Sequence, residues 1–552
     1  MSFRGTPSKG CAPCRAKRTK CDYTRPSCSQ CLRAGRDCHG YRDPSKLRFF
    51  HQTPQGIARK DARTPPRTPS NALALRGPSE ARSSPKSECS VQTISPCLSD
   101  SLEFQATCFF LSNYAWEGTQ SSKGLFDYIP GILNAQESTG GALMDAVMAL
   151  GLAGISITKN GNSKIMISAK ERYNRALAAT NCALQTDEAK ADQTLIAVML
   201  LGLFETNTCD APRSMKSWTR HTNGAIQLLY LRGKEQLQTY TGRKIFIQLR
   251  SQIIVHALQR RARVPDFVTE WSLSNLQHET DEHLIANHLC LLTIECCNLR
   301  ATMTSMHDFT NSFAIVSAAL ELDSTLEIWA AENPYVYNIV PLKTRTDSVF
   351  ADYYHTYPNI LVATSWNTYR SVRILLNELL LAQMGYLISQ EAKSMTTPPP
   401  DETEAHFTPS LSPDSSSTSP SSTSKYRSLM RRSHAVLVHL TQDICASVPF
   451  YLGDPAPPSS LLQPPPPPRA AGGNLLLWPL FMAACTNMTS DLMRSWVMQQ
   501  MEKIAEDMGI RQAQALAILL CLGRDPPVWH DAELLEVEPD GEKADERWPI
   551  IE

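Results

Sequence analysis

Six cysteines near the start of the chain constrain its fold more than any other feature. They form two groups of three with the same Cys-x2-Cys-x6-Cys spacing, and the second group follows the first by 17 residues. The six residues are Cys11, Cys14, Cys21, Cys28, Cys31 and Cys38. Zinc(II) prefers four ligands in a tetrahedron, with Zn–S bonds of ~2.3 Å. Because two separate sites need eight thiolates, six thiolates can hold two zinc ions only by sharing two of them. The repeat therefore predicts a binuclear zinc cluster.

Other arrangements explain these cysteines less well. A knot of three disulfides suits neither a reducing compartment nor the basic residues between the cysteines. A single four-cysteine zinc site leaves two cysteines spare and the repeat unexplained. His39 adjoins Cys38, but six thiolates are available, so we interpret it as a surface histidine. Two zinc ions are therefore the predicted cofactors.

The charge of the chain is distributed unevenly between its two ends. Residues 1–60 hold 14 Lys or Arg against three Asp, a formal charge of +11, and the remaining residues carry −11. Six thiolates with two zinc ions add −2, so the metallated head keeps about +9. A segment of ~30 residues cannot bury a sufficient apolar core, so zinc is expected to stabilise it. A basic, metal-stabilised head on an acidic body indicates nucleic-acid binding.

Residues 11–38 resemble the fungal Zn(II)2Cys6 binuclear-cluster DNA-binding domain. The likeness covers the six cysteines, the basic run after the second, the acidic residue after the third and the turn before the fourth. The last three features are Arg15-x-Lys17-Arg18-x-Lys20, Asp22 and Arg25-Pro26-x-Cys28. The resemblance implies a zinc-stabilised two-helix module in which Cys11 and Cys28 bridge the two metal ions.

The same resemblance implies a mode of DNA binding. In the family, a short helix after the second cysteine enters the major groove, and its basic residues read a CGG triplet. The base-contacting position corresponds to Arg18, with Lys17 beside it, and the family commonly has Lys at that position. Arg can also bond O6 and N7 of guanine. Arg15 and Lys20 are expected to contact phosphates, which sets the register without reading bases.

Composition divides the chain into seven segments. Residues 41–100, 394–425 and 454–473 are rich in Pro or Ser and lack the apolar content needed to pack. The acidic composition of residues 524–552 is typical of either a disordered activation segment or a tail that keeps the helical body soluble. The predicted segments are a disordered basic N-terminus (1–10), the zinc-cluster DNA-binding domain (11–38), a disordered linker (41–100), an α-helical regulatory domain (101–393), a disordered Ser/Thr/Pro insertion (394–425), a continuation of the helical domain (426–523) with a Pro-rich loop (454–473), and an acidic tail (524–552).

Apolar residues recur at spacings of three and four through most of the body, which predicts α-helices. Alternating patterns typical of strands are rare. The predicted helices cover residues 142–154, 164–185, 192–206, 214–232, 244–261, 282–306, 360–388, 427–446 and, as helical text, 474–521. The predicted fold class is all-α: a small zinc-stabilised two-helix module, a flexible linker and a large helical regulatory domain with disordered insertions.

Motifs in the helical body are similar to the fungal-specific transcription factor regulatory domain, and most closely to the second of its two common families. They are the apolar run 194–205, Trp218-x2-His221-x2-Gly224-Ala225 and Arg232-Gly233, together with residues 40–43, 47–49 and 106–110. The resemblance implies an α-helical regulatory module without known catalytic residues. By periodicity alone, Trp218, His221 and Ala225 share one helix face, so we interpret His221 as a core residue rather than an effector ligand. Cys296 and Cys297 are likewise predicted to lie in the core.

Sequence motifs of enzymes and of membrane proteins are missing. His278 and His283 are five residues apart, about 140° around a helix, so they cannot share a zinc ion as i, i+4 histidines do. The longest apolar run, residues 195–204, is about half of the ~20 residues that a membrane span needs. Residues 1–10 contain no apolar segment, so no secretory signal is expected.

These patterns together predict a nuclear, sequence-specific DNA-binding regulator of transcription by RNA polymerase II, and not an enzyme. The expected partners are double-stranded DNA and the transcription machinery, and no membrane. No heptad repeat follows the cysteine module, which leaves open monomeric binding or a homodimer through the helical domain. The alternative function is a transcriptional cofactor whose zinc cluster mainly contacts proteins.

Overall fold

The chain divides into two units, residues 1–95 and 96–552. The structure is a computed structural model, and it describes residues 11–17, 19–22, 24, 26–38, 100–115, 125–135, 141–159, 161–209, 215–278, 281–303, 308–342, 346–396, 422–453 and 469–521. The predicted basic N-terminus, the predicted linker up to residue 99 and the predicted acidic tail lie outside the described residues.

The first unit contains two short helices, α1 (Ala12–Ala16) and α2 (Ser29–Arg33), which pack against each other. Each helix has five residues, and each begins directly after the first cysteine of its group. The helices are therefore offset by the same 17 residues as the cysteines. This confirms the predicted two-helix module.

The second unit is built almost entirely from helices. They are α3 (Leu102–Tyr114), α4 (Ile129–Ala135), α5 (Ala142–Thr158), α6 (Ser163–Ala183), α7 (Asp192–Thr208), α8 (Met215–Arg232), α9 (Tyr240–Arg260), α10 (Asp266–Asn275), α11 (Asp281–Ala301), α12 (Ser312–Glu332), α13 (Ile360–Thr396), α14 (Ser422–Leu452), α15 (Ala470–Cys485), α16 (Asp491–Asp507) and α17 (Gln512–Cys521). The predicted all-α class is confirmed, and α3, α4, α10 and α12 are helices that the periodicity did not single out.

Three predicted boundaries need correction. Helix α13 extends to Thr396 and α14 begins at Ser422, so both ends of the predicted 394–425 insertion are helical. Likewise, α15 begins at Ala470, inside the predicted 454–473 loop. The helical text at 474–521 is divided among three helices, because Ser490 caps the start of α16 and Gly509 adopts a φ of +74° directly after it.

A small hairpin interrupts the helices, which the sequence did not predict. Strand β1 (Asn338–Pro341) pairs antiparallel with β2 (Tyr353–Thr356), with Asn338 opposite Thr356. Strand β2 packs on α14, whereas β1 is mostly exposed. Four-residue strands are too short to show a period of two clearly, so they escape pattern analysis.

Helix α5 lies in the centre of one part of the core, where it packs against α3, α6 and α7. Apolar residues surround it on nearly all sides, which is the pattern of a buried helix. Glycine allows α3 to approach closely, because a Cβ on Gly151 would lie 1.9 Å from the carbonyl oxygen of Ala106. That neighbour is backbone, so it cannot move aside as a side chain could.

Replacing Gly151 with Ala is expected to lower the free energy of unfolding by ~1–3 kcal/mol, because overpacking forces α3 away from α5. Gly131→Ala is the matched control, since no heavy atom lies within 4 Å of its added Cβ. That control should be neutral or stabilising by up to ~1 kcal/mol. Urea unfolding of both variants measures the difference. Equal stability of the two would show that α3 and α5 do not pack this closely.

Two long helical ranges, Ile360–Lys393 and Thr423–Leu452, meet the length and composition of a membrane span. In each of them, 61% of the apolar 18-residue stretch is buried inside the unit. The corresponding helices, α13 and α14, pack against each other. Packing in a helical core accounts for their apolar character.

Candidate metal centre and nucleic-acid interface

All six predicted cysteine ligands lie together in the first unit. Their sulfur atoms form two overlapping sets of four, and within each set all sulfurs lie within 4.8 Å of one another. The first set contains Cys11, Cys14, Cys21 and Cys28, and the second contains Cys11, Cys28, Cys31 and Cys38. The two sets thus share Cys11 and Cys28, the same pair to which the family resemblance assigns the bridging role.

The spacing of the sulfur atoms suits tetrahedral zinc. The Sγ atom of Cys11 lies 3.6 Å from those of Cys28 and Cys31, and Cys14 lies 3.6 Å from Cys28. A tetrahedron with Zn–S bonds of ~2.3 Å has edges of about 3.8 Å. A disulfide bond would instead bring two sulfurs to ~2.0 Å. The donor set therefore fits a metal cluster and not the alternative knot of disulfides.

The backbone of α2 holds two of these cysteines in place. Cys28 is the N-cap of the helix, and its sulfur accepts a hydrogen bond from the backbone N–H of Cys31 at 3.4 Å. After the helix, Gly35 adopts a φ of +56°. Arg36 donates its backbone N–H to the carbonyl of Cys31, and Gly35 donates its own to the carbonyl of Leu32. These two bonds form a Schellman C-cap, which favours glycine at the left-handed position. The chain therefore reverses at Gly35.

The first half of the module repeats part of this arrangement. Thr19 donates its backbone N–H to the carbonyl of Cys14 at 3.0 Å, and the corresponding bond 17 residues later joins Arg36 to Cys31 at 2.9 Å. The sequence repeat is therefore also a repeat of backbone geometry. Each half presents its cysteines around a short helix in the same way.

Asp22 links the two halves of the module. Its two carboxylate oxygens accept the backbone N–H of Ser29, the first residue of α2, at 3.1 and 3.2 Å. Hydrogen bonds from Ser29 and Thr24 lower the pKa of Asp22 to about 2. A carboxylate that stays ionised at the N-terminus of α2 also complements the helix dipole. The acidic residue after the third cysteine therefore has a local structural role.

Cysteines take the place of an apolar core in this unit. The described buried cluster consists of Cys11, Cys14, Cys21, Cys28 and Cys31, with Cys38 packed against it. Burial raises the pKa of Cys28 to about 12 and also raises that of Cys31. Thiolates in such a cage need a neighbouring cation, because several negative charges would otherwise be buried together. The chemistry of the site thus calls for metal ions.

The four basic residues predicted to contact DNA differ in what the structure describes. Lys17 and Lys20 have exposed side chains, on either side of the residue at position 18. Arg15 lies within α1, near its C-terminal end. Arg18, the predicted base-contacting residue, lies outside the described residues. Arg33 and Arg36 add exposed basic side chains at the end of α2, which the sequence analysis did not single out.

The two core predictions for the helical body agree with the structure. His221 is buried, and its Nε2 lies 3.2 Å from Glu205, which also accepts a hydrogen bond from Tyr173 at 2.6 Å. Sequence reasoning missed this network, because Tyr173, Glu205 and His221 lie on three different helices. Cys296 and Cys297 are fully buried in α11.

Comparison with known families identifies two domains in the chain. Residues 9–48 match the fungal Zn(2)-Cys(6) binuclear cluster domain. Residues 91–255 match the fungal specific transcription factor domain. The first match contains the six-cysteine module, and the second contains α3 to α8 with most of α9. Both domains are transcription factor domains and not enzyme domains.

Three curated proteins are similar to parts of the chain. An uncharacterized protein of Emericella nidulans is 30% identical over 98 residues, which cover 18% of this chain and 20% of that protein. The aspercryptin biosynthesis cluster-specific transcription regulator of the same fungus is 40% identical over 58 residues, 10% of each chain. White-opaque regulator 2 of Candida albicans is 50% identical over 38 residues, 7% of this chain and 8% of the relative.

These likenesses are local, since the chain matches a fifth or less of the length of each relative. No solved structure matches the chain. The geometry of the cysteines agrees with the first of the two domain matches. The chain therefore carries a segment that matches the fungal Zn(2)-Cys(6) binuclear cluster domain and a segment that matches the fungal specific transcription factor domain.

Proposed function

We propose that this protein is a sequence-specific DNA-binding regulator of transcription by RNA polymerase II, acting in the nucleus. The observation that carries the proposal is the pair of overlapping four-cysteine sets that share Cys11 and Cys28. Basic residues lie directly beside this cage, at α1 and after it. The name of one relative, a cluster-specific transcription regulator, supports the same role.

In this proposal two zinc ions hold the module together. Cys11 and Cys28 would hold both ions, and each of the other four cysteines would hold one. The metal would order the segment, because its described core contains cysteines and little else. The chain's own contribution is the turn after each helix, which is closed by the hydrogen bonds from Thr19 to Cys14 and from Arg36 to Cys31.

Helix α1 would enter the major groove and read a CGG-type triplet. Arg18 would donate to O6 and N7 of a guanine, with Lys17 beside it. Arg15 and Lys20 would hold the phosphate backbone. The net charge of the metallated head, about +9, favours association with DNA and makes it sensitive to salt.

The helical body would contact the transcription machinery or respond to a signal. No heptad repeat is present behind the cysteine module, so a homodimer would have to form through the helical domain. Monomeric binding to a single triplet is the alternative arrangement. The separation of occupied triplets in bound DNA would distinguish the two arrangements, because a dimer imposes a fixed half-site spacing.

Arg18→Ala is expected to weaken binding to a CGG site by ~1–3 kcal/mol and to relax the preference for that triplet. Fluorescence anisotropy with CGG and scrambled duplexes measures both effects. Arg36→Ala is the matched control: this exposed basic residue lies at the end of α2 and should weaken both duplexes alike. An equal loss on CGG and scrambled DNA for Arg18→Ala would mean that Arg18 contacts only phosphate.

A cofactor role through protein contacts is the second candidate function. Leu32 on α2 is 67% exposed, and an exposed apolar side chain on such a small module suits a protein partner. The salt dependence of duplex binding distinguishes the two functions. Each DNA phosphate that the protein neutralises steepens the slope of log affinity against log salt concentration by ~0.9. A flat slope, or no duplex binding by the zinc-loaded protein, would favour the cofactor.

A further inference from the structure

The second unit contains a cavity of ≈ 270 Å³ outside both matched domains. It lies where α12, α13, α14 and the segment before β1 come together. The lining residues used below are Tyr337, Trp366, Tyr369, Arg370, Leu440 and Asp443. Pockets that bind drug-sized ligands have volumes of ~300–1,000 Å³. A cavity slightly smaller than this range suits a small metabolite.

One arginine near this cavity is fully engaged by the protein. Arg373 donates to both oxygens of Asp323 at 2.7 and 2.8 Å, to Glu327 at 2.8 Å and to the hydroxyl of Tyr369 at 2.9 Å. This bidentate, buried pair locks α12 onto α13. Arg373 therefore shapes the wall and is not available to a ligand.

The second arginine is held less completely. Arg370 is 1% exposed, and its Nη1 donates to Tyr357 at 2.8 Å and to Asn367 at 2.9 Å. Its Nη2 lies 3.4 Å from Nδ1 of His355, a long contact. Its contact with a carboxylate is long, because Nε lies 3.5 Å from Oδ2 of Asp443. Charge-assisted pairs normally close to ~2.7–2.9 Å. Arg370 thus keeps its charge without a close anionic partner among the described residues.

Asp443 is the complementary group, and its contacts with the described residues are long for a carboxylate. Its nearest donor is the hydroxyl of Tyr337 at 3.2 Å, followed by that of Tyr353 at 3.5 Å. The Nε2 atoms of His355 and His439 lie 3.7 Å away. His355 is fully buried, and its Nε2 has no hydrogen-bond partner. A buried carboxylate surrounded by donors at these distances has room for one more donor.

The charges around the cavity balance. Arg370, Arg373 and Arg432 face Asp323, Glu327 and Asp443, three formal charges of each sign, with Arg432 pairing to Glu327 at 2.6 Å. A ligand with a net charge would bring an uncompensated charge into a partly buried site, which is costly. A ligand with balanced charges would not.

We infer that this cavity binds a small zwitterion that carries an ammonium and a carboxylate on one carbon, together with a flat or apolar body. The ammonium donates to Asp443, and the carboxylate accepts from Arg370. Because those two side chains are themselves adjacent, they match a ligand whose opposite charges are also adjacent. The apolar body lies against Tyr337, Trp366 and Leu440.

The aromatic side chains that line the cavity suit a ligand with a flat or apolar body. The Tyr337 and Trp366 rings meet edge to face at 5.0 Å, and Trp366 also meets Tyr369 edge to face at 5.5 Å. The guanidinium of Arg370 lies 4.8 Å from the centre of the Tyr337 ring, which orients it by a cation–π contact. Aromatic walls with one acidic and one basic group give both apolar contact and charge recognition.

Isothermal titration calorimetry of the full chain tests the inference with three matched probes. L-Phenylalanine carries both charges, phenethylamine lacks the carboxylate and 3-phenylpropionate lacks the ammonium. We expect phenylalanine to bind at least ~10-fold more tightly than either analogue, since each loses a charge-assisted hydrogen bond. L-Leucine, with an apolar body that is not flat, is a second zwitterion. No heat with either zwitterion, or an amine that binds as tightly as phenylalanine, would overturn the inference.

Two variants locate the site. His439 lines the cavity, but its side chain is 69% exposed, so His439→Trp should block entry and abolish binding without unfolding the protein. Asp443→Asn should weaken binding at least ~10-fold, and Asp507→Asn, at an exposed position on α16, should not change it. If the Asp443→Asn variant does not fold, the His439→Trp variant still tests whether the ligand binds in this cavity. Unchanged affinity in His439→Trp would place the ligand elsewhere. A negative result in these ligand-binding experiments does not affect the DNA-binding proposal, because the cavity belongs to the second unit and the cysteine cluster to the first.

Discussion

Removing zinc from the full chain with a strong chelator is expected to abolish specific duplex binding. Affinity for a CGG duplex should fall by ~10³-fold or more, to the level of non-specific binding or below. The physical reason is that structural zinc contributes ~10–16 kcal/mol of apparent binding free energy to small modules, and the buried cluster in the described residues of this one consists of cysteines. Fluorescence anisotropy measures affinity, and restoring zinc should restore it.

The helical body provides an internal control for this experiment. Its core is a separate apolar cluster, so the far-ultraviolet circular dichroism of the chain should change little on chelation. A large loss of helix would show that the chelator unfolds more than the cysteine module. Unchanged DNA affinity after complete removal of zinc would contradict the structural role of the metal.

Shared and unshared cysteines should differ in their effect on zinc content. Cys28 belongs to both four-cysteine sets, whereas Cys38 belongs to one. Cys28→Ser is therefore expected to disturb both ions, and Cys38→Ser chiefly one. Metal analysis of the purified proteins, with Cys182→Ser as an exposed control on α6, measures this. One zinc per wild-type chain would contradict the binuclear proposal and favour the single-site alternative.

The second large effect is expected from the buried ion pair between Asp323 and Arg373. Asp323→Ala should lower the free energy of unfolding by ~3–5 kcal/mol, because it leaves the buried guanidinium without its bidentate partner. Asn377 would also lose a hydrogen bond to Asp323. Urea unfolding followed by tryptophan fluorescence measures the change, since Trp329 and Trp366 lie close by.

A neighbouring carboxylate serves as the matched control. Glu327 also contacts Arg373, but its side chain is 38% exposed, so Glu327→Ala should cost about 1 kcal/mol or less. The double variant Asp323→Leu with Arg373→Met should recover most of the lost stability, because no buried charge is then left unpaired. Equal effects of Asp323→Ala and Glu327→Ala would show that burial does not govern the strength of this pair.

The metal centre was largely predictable from the cysteine spacing. The six ligands lie within 28 consecutive residues, so a short chain with two turns is enough to bring them together. Asp22 could also be identified from the sequence, since it acts on Ser29, which lies close to it in the chain. By contrast, the backbone hydrogen bonds from Thr19 to Cys14 and from Arg36 to Cys31 could be identified only in the structure. Backbone groups form such bonds with little dependence on residue type, so the sequence does not indicate them.

The helices of the body were predictable where apolar residues recurred along most of their length, as in α7 and α13. Helices α3 and α12 were not singled out from the sequence. At the Ser-rich and Pro-rich insertions, the observed helix ends differ from the predicted boundaries by a few residues. Helices can extend into residues that show no apolar periodicity of their own. The β hairpin was missed because four-residue strands give too little periodicity.

The sequence alone therefore determined the chemistry of the head: which residues can bind metal, how many ions their number allows, and where positive charge lies. Ligand type and local spacing suffice for these inferences. Only the tertiary structure decided which polar groups of the body meet. Asp323 and Arg373 are 50 residues apart, and Arg370 and Asp443 are 73 apart on different helices. Contacts at such separations depend on how helices pack, and packing depends on the shapes of all the side chains at once.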